Sequence, residues 1–243
     1  MKKIFHLLGH TFYYAKWKDR SGEQKYPHAR IFPKNTYAPW LGDEPFQALY
    51  SKISQSHTLV DQYRCYELWS VAHNTKRLEG DIIEVGVWRG GTGAILAKAA
   101  GGQTTVYLCD TFEGVVKAGI NDTKYKGGEH ADTTMESVEQ LMKQLNITNT
   151  VVVKGIFPEE GSQKVHSEKF KICHIDVDVY DSAKDIFSWV WPRLVTGGVV
   201  IFDDYGFAAC EGITYLVNEI MDSLPNAAFF YNINGHGIIV KTA

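Results

Sequence analysis

Carboxylates stand at or beside the ends of four short apolar runs in this 243-residue chain: Asp81–Val85, Thr104–Cys109, Lys171–Val177 and Val199–Phe202. The first run holds Glu84 and opens into Gly86-Val-Trp-Arg-Gly90-Gly91. Glycines there let the backbone turn tightly and approach a ligand. A strand that delivers its carboxyl end to such a loop is where an open α/β sheet binds nucleotide-like molecules. The order Glu84-x-Gly86-x-x-x-Gly90-Gly91 differs from the Gly-x-Gly-x-x-Gly dinucleotide fingerprint. An acid before the first glycine would repel a pyrophosphate and attract a sulfonium, which points to S-adenosylmethionine rather than NAD. Asp110, closing the second run, is suited to accept hydrogen bonds from both hydroxyls of a ribose.

The third and fourth runs lead to Asp176-Val-Asp178 and Asp203-Asp204. If these strands are neighbours, Asp176, Asp203 and Asp204 share one small volume and repel strongly without a cation. An all-oxygen set favours a hard divalent ion, Mg²⁺ first, with Ca²⁺ and Mn²⁺ as alternatives. Alternation puts His174, Asp176 and Asp178 on one side of an extended strand. Asp178 then lies just beyond the metal and is the first candidate for a catalytic base, with His236 next in line. His174 is deeper and reads as a hydrogen-bonded core residue, and Asp181 as a helix cap. Cys65, Cys109, Cys173 and Cys210 are scattered, which excludes a clustered zinc site and reads as reduced, cytoplasmic thiols. The chain has no Gly-x-Ser-x-Gly elbow and no Gly-Lys-Ser/Thr phosphate loop.

The elements that must position these groups alternate. A helix is expected over 45–53, and another over 59–77 from the spacing of Val60, Tyr63, Tyr66, Leu68 and Val71, with Gly80 as its C-cap. Further helices are expected over 92–100, from a capping box at Thr133-Thr-Met-Glu136 to Leu145, over 181–191 before Pro192, and over 212–223. A further strand is expected over 151–154, and 228–231 with 238–241 read as an antiparallel hairpin around Asn234-Gly235. Such alternation predicts a doubly wound α/β domain with a mostly parallel sheet. Residues 1–57 are expected to form an aromatic, basic extension, either a lid or an oligomer contact, and 58–243 the catalytic domain. A formal charge of −3 leaves no footprint for nucleic acid. No apolar stretch is long enough to span a bilayer.

Four blocks together resemble the macrocin O-methyltransferase (TylF-type) family. They are Gly80-Asp-Ile-Ile-Glu-Val-Gly-Val-Trp-Arg-Gly-Gly, Cys109-Asp-Thr-Phe-Glu-Gly, His174-Ile-Asp-Val-Asp-Val-Tyr-Asp-Ser and Gly197-Gly-Val-Val-Ile-Phe-Asp-Asp-Tyr-Gly. The resemblance implies a class I S-adenosylmethionine methyltransferase fold with seven strands, the last antiparallel. It implies Mg²⁺-dependent methylation of a hydroxyl, typically on a sugar of a natural product. Carried over by motif, the cofactor lies on Glu84, Gly86, Val87, Trp88, Arg89, Gly90, Gly91 and Thr92, with Asp110, Thr111 and Phe112 at the ribose. The metal ligands are Asp176, Asp203 and Asp204, and the base is Asp178. Val177 departs from the glycine of many relatives, which bears on the width of the acceptor pocket. Two other readings stay open: a nucleotide-sugar glycosyltransferase using Asp176-x-Asp178, and a non-catalytic subunit. The expected partners are a small-molecule or glycan hydroxyl acceptor and a second copy of the chain.

Overall fold

A computed structural model describes residues 3–7, 10–14 and 37–243. The chain divides into two compact units, Met1–Thr36 and Tyr37–Ala243. In the first, β1 (Lys3–Leu7) pairs antiparallel with β2 (His10–Tyr14). The aromatic and basic side chains expected to form a lid or oligomer contact there lie outside the described residues.

The second unit runs α1 (Glu44–Ile53), α2 (Gln62–Asn74), β3 (Asp81–Val85), α3 (Gly91–Ala100), β4 (Val106–Asp110), α4 (Met135–Gln144), β5 (Thr150–Lys154) and β6 (Phe170–Ile175). It continues with α5 (Tyr180–Val190), β7 (Leu194–Phe202), α6 (Glu211–Ser223), β8 (Ala227–Tyr231) and β9 (Gly237–Lys241). Seven of these strands form one sheet in the order β5-β4-β3-β6-β7-β9-β8. Pairing is parallel from β5 to β7, and β9 is antiparallel to both β7 and β8. Strand alternation sorts the core into two layers. Ile82, Leu108, Ile172 and Ile201 pack towards α1–α4, and Ile83, Cys109, Cys173 and Val200 towards α5 and α6.

The order reverses between β3 and β6: the chain leaves β3 towards β4 and leaves β6 towards β7. That switch opens a crevice at the carboxyl ends of the two strands. The ends come very close. Asp176 N donates to Val85 O at 2.9 Å, and Gly86 stands at φ +91°. A Cβ on Gly86 would lie 1.7 Å from Asp176 O. Only glycine fits between the cofactor-side strand and the strand that carries Asp176.

Local details depart from the sequence reading in four places. Helix α2 ends at Asn74, where Thr75 Oγ1 bonds Val71 O at 2.8 Å, so Gly80 leads into β3 rather than capping α2. The cap of α4 is Thr134, paired with Ser137 rather than Glu136. Thr133 is drawn off to Trp88 O at 2.7 Å, which ties α4 to the glycine loop. Asp181 sits inside the first turn of α5, after an N-cap at Val179, and favours the helix dipole without capping it. Strand β7 starts at Leu194, because Leu194 pairs with Phe170 before the register shifts.

Replacing Gly86 with alanine should cost about 4 kcal/mol or more, the range reserved for steric failures in a packed interior. Gly101→Ala, at φ +83° with nothing within 4 Å of its Cβ, should cost about 1–2 kcal/mol from backbone strain alone. Equilibrium urea unfolding of both variants measures the difference.

Candidate active site

Parallel register builds the site. Ile175 of β6 pairs with Phe202 of β7, so the residues that follow, Asp176 and Asp203, emerge side by side. Asp204 is the next residue along. Oxygens of Asp176, Asp203 and Asp204 lie within 4.8 Å of one another, a group able to hold a metal ion. They line a cleft of about 230 Å³ that is open to solvent on one side. Gly86, Val87, Trp88, Thr92, Asp110 and Thr111 line its other part.

The three aspartates are not equivalent. Asp203 is 2% exposed and is met by Arg64 and two histidines. Arg64 Nη1 bonds its Oδ2, and His236 Nε2 lies 3.0 Å and His174 Nε2 3.6 Å from its Oδ1. Burial alone would raise its pKa; the two histidines and the arginine hold it well below the usual carboxylate range. Asp176 and Asp204 have the opposite fate. Burial, then the charge of Asp203 beside them, pushes both well above that range. Asp204 Oδ2 is buried without a hydrogen-bond partner.

Behind Asp203 a second tier holds the histidines. His236 Nδ1 sits 2.5 Å from Glu67 Oε2, and Glu67 also accepts from Asn232 and Asn234, each at 3.0 Å. His174 Nδ1 lies 2.8 Å from Glu84 Oε1. Burial would lower the pKa of His174, but Asp203 and Glu84 push it up to about 10. Arg64 and Glu67 are three apart on α2 and so share one face. The N-terminus of that helix is set by Asp61, whose Oδ1 accepts from Tyr63 N at 2.9 Å and Arg64 N at 3.1 Å.

A family profile described as macrocin-O-methyltransferase (TylF) matches residues 45–222. The chain belongs to this family. It is 27% identical over 173 residues to mycinamicin III 3''-O-methyltransferase of Micromonospora griseorubida, covering 64% of this chain and 68% of that protein. It is 28% identical over 173 residues to 8-demethyl-8-(2,3-dimethoxy-alpha-L-rhamnosyl)-tetracenomycin-C 4'-O-methyltransferase of Streptomyces olivaceus, covering 65% and 66%. The matched stretch is thus about two thirds of each relative's length. Among solved structures the O-methyltransferase NovP superposes with a TM-score of 0.67 at 20% identity, over 78% of this chain and 84% of that one. The fold is therefore that of the S-adenosylmethionine-dependent O-methyltransferases, as the motif blocks imply, including the antiparallel strands at the end of the sheet.

Within this TylF-family site, several expected residues take other places. Glu84 is fully buried, faces His174 across the β3–β6 register and lies under Gly93 of α3. It does not line the cleft, so the expected direct contact with a sulfonium is replaced by an ion pair beneath the loop. Arg89 turns outward to Asp132 at 2.6 Å and to Ser56 O at 3.1 Å. Gly91 seats the start of α3 against residue 57, its N bonding His57 O at 2.9 Å, and Gly90 faces Val138, Leu141 and Met142 of α4. Phe112 belongs to the core. Asp110 lines the cleft, but its Oδ2 already takes Val87 N and Trp88 N at 2.8 Å each, and its Oδ1 takes Phe112 N at 2.6 Å. Burial pushes its carboxyl up against these bonds. His236, the second candidate base, is 0% exposed between Glu67 and Asp203, and acts on the site only through Asp203.

The sequence reading missed Arg64 and Glu67, and also Tyr125 and His130 of the long loop between β4 and α4. The only signal for the first two was a charged pair three residues apart in a largely apolar helix. For the others there was none. Strain marks the cleft as well. Of the non-glycine residues with positive φ, Trp88, His130 and Asp178 line it, and such residues gather at functional sites.

His174→Leu should strand the buried Glu84 carboxylate and cost about 3–5 kcal/mol. Adding Glu84→Leu removes the orphaned charge, and the double variant should regain part of that loss. Denaturant unfolding followed by circular dichroism measures both.

Proposed function

We propose that this chain transfers the methyl group of S-adenosylmethionine to a hydroxyl of a glycosylated small molecule, with Asp178 as the base. The observation that carries the reading is the convergence of Asp176, Asp203 and Asp204 in the cleft walled on its other side by the glycine loop of β3. Both relatives described above are named as O-methyltransferases, and the name of the second includes a rhamnosyl group, which supports an acceptor of that class.

A divalent cation, Mg²⁺ first, fits the donor set. The ligands are all oxygen, Asp204 Oδ2 has no hydrogen-bond partner, and burial together with the charge of Asp203 pushes the carboxyls of Asp176 and Asp204 up. Asp176, Asp203 and Asp204 would hold it. When bound, it would stabilise negative charge developing on an acceptor hydroxyl. The chain's own residues do the rest. The loop after β3 and the end of β4 hold the donor. Arg64 and His236 keep Asp203 ionised and in place. Asp178 accepts the hydroxyl proton while the oxygen–methyl bond forms and the sulfur–methyl bond breaks, leaving a neutral thioether. Holding donor and acceptor in line contributes the entropic part of the acceleration.

Two measurements test this. Incubation with labelled S-adenosylmethionine, Mg²⁺ and glycosylated small molecules should yield a methyl ether. Asp178→Asn should lower turnover by about 10²-fold or more while calorimetry shows donor affinity within a few-fold of wild type. Wild-type turnover in that variant removes Asp178 from the role. Separately, in EDTA, Asp204→Asn should melt above wild type by about 2–4 °C for each kcal/mol of repulsion relieved. Added Mg²⁺ should raise the wild-type melting temperature and leave the variant's unchanged. Equal responses of the two proteins to Mg²⁺ would remove the cation from this site.

A further inference from the structure

Exposed apolar side chains gather at one rim of the cleft. Leu59 is 71% exposed between buried Thr58 and Val60, and it lines the cleft. Ile233 is 57% exposed between Asn232 and Asn234, whose amides turn inward to Glu67. Phe207 is 38% exposed and stands three residues beyond Asp204, whose carbonyl accepts from Phe207 N at 3.1 Å. Scattered apolar residues on a surface need no explanation, but a group of them beside a cleft marks a binding face.

Packing holds these three on one ledge. The Arg64 guanidinium lies 4.7 Å from the centre of the Phe207 ring, and Arg64 lines the cleft together with Leu59. The ring also rests on the turn that carries Ile233: a Cβ on Gly235 would lie 2.2 Å from Phe207 Cε2. Glu67 of α2 bonds Asn232, Asn234 and His236 of that turn, and His236 Nε2 lies 3.0 Å from Asp203 Oδ1. The ledge is thus anchored to the carboxylates of the cleft without belonging to them.

The rim formed by the loop between β4 and α4 has another character. It brings Tyr125 and His130 to the cleft, with Lys124 and Lys126 exposed around them. Ile120 is fully exposed on the same loop but does not line the cleft.

Size decides what the ledge is for. The cleft holds about 230 Å³, below the ~300–1,000 Å³ that encloses a drug-sized ligand, yet it must admit both a nucleoside donor and the hydroxyl to be methylated. The rest of a larger acceptor has to lie outside, on a rim. An apolar remainder gains from covering Leu59, Phe207 and Ile233. A diphosphate there would meet an apolar surface and a guanidinium already paired with Asp61 and Asp203.

We propose that Leu59, Phe207 and Ile233 form the subsite for an apolar aglycone, with the sugar it carries reaching into the cleft. This rests on the O-methyltransferase reading and narrows its acceptor to a glycoside of an apolar alcohol or phenol, rather than a free or nucleotide-activated sugar.

The probes are methyl, butyl and octyl rhamnoside, rhamnose being the sugar in the name of one relative. They are titrated by calorimetry into the full chain holding S-adenosylhomocysteine and Mg²⁺. Each added methylene should tighten binding by up to about fourfold until the ledge is covered. In the double variant Leu59→Ser, Ile233→Ser the gain per methylene should fall below about 1.5-fold, with methyl rhamnoside bound within about twofold of wild type. Ile120→Ser should behave as wild type. With the acceptor found by the labelling screen, the double variant should raise KM by about tenfold at a kcat within about twofold, the mark of binding shared by ground and transition states. Leu59→Ser alone, at the most exposed of the three side chains, carries the comparison if the double variant melts early. No gain with alkyl length in wild type, an equal gain in the variants, or a loss in kcat rather than KM overturns the subsite and leaves methyl transfer standing. So does preferred methylation of a nucleotide-activated sugar. A wild-type dimer that the double variant dissolves in analytical ultracentrifugation likewise overturns it, by making the face a contact between copies. A wild-type chain that methylates no acceptor overturns the functional reading and this assignment with it.

Discussion

One buried carboxylate organises the working half of this molecule. Asp203 lies at the end of β7 and is met by Arg64 from α2, His236 from the turn before β9 and His174 from β6. Each group belongs to a different element, so two hydrogen bonds and the 3.6 Å ion pair from His174 tie four elements to a single side chain. Behind them Glu67 and Glu84 balance the histidines. Taking several charges out of water is costly, and the cost is offset only when every member of the network is paired. The helix that delivers Arg64 is thereby as much a part of the site as the strands are.

The same interaction makes the aspartate cluster asymmetric. Asp203 is kept ionised by Arg64 and the two histidines, whereas for Asp176 and Asp204 burial and the charge of Asp203 outweigh what His174 and Arg64 offer. The idea that all three acids need a shared dication is therefore too simple, because one of them is satisfied by the fold. What remains unbalanced is the pair facing the cleft. Under the proposed function, that imbalance is what would draw a divalent cation to the end of β6 rather than deeper into the sheet.

Close approach and strain are concentrated where the chemistry would occur. The ends of β3 and β6 touch through Gly86, Trp88 and Phe112 hold the cofactor-side turns at positive φ, and Asp178 sits on a tight turn of its own. The rest of the unit is regular, with apolar strands sorted cleanly into two layers. The regular part supplies the stability that the strained part consumes.

Periodicity along the chain was enough to recover the alternation of strands and helices, the terminal hairpin and the carboxylates at strand ends, because these depend on local pattern and turn chemistry alone. Asp176, Asp203 and Asp204 could be grouped once their strands were taken as neighbours. Glu84 and His236 show where that reasoning stops. Each is an acid or base close in sequence to a glycine turn, yet each points into the interior, Glu84 to His174 and His236 to Asp203. Which residues face each other across parallel strands depends on register, and register is set by packing between segments up to 90 residues apart. Arg64 and Tyr125 reach the site from a helix before the sheet and from the loop between β4 and α4, across 139 and 53 positions respectively from Asp203 and Asp178. Local composition carries the kind of chemistry available; only long-range packing in the folded chain selects the atoms that meet to perform it.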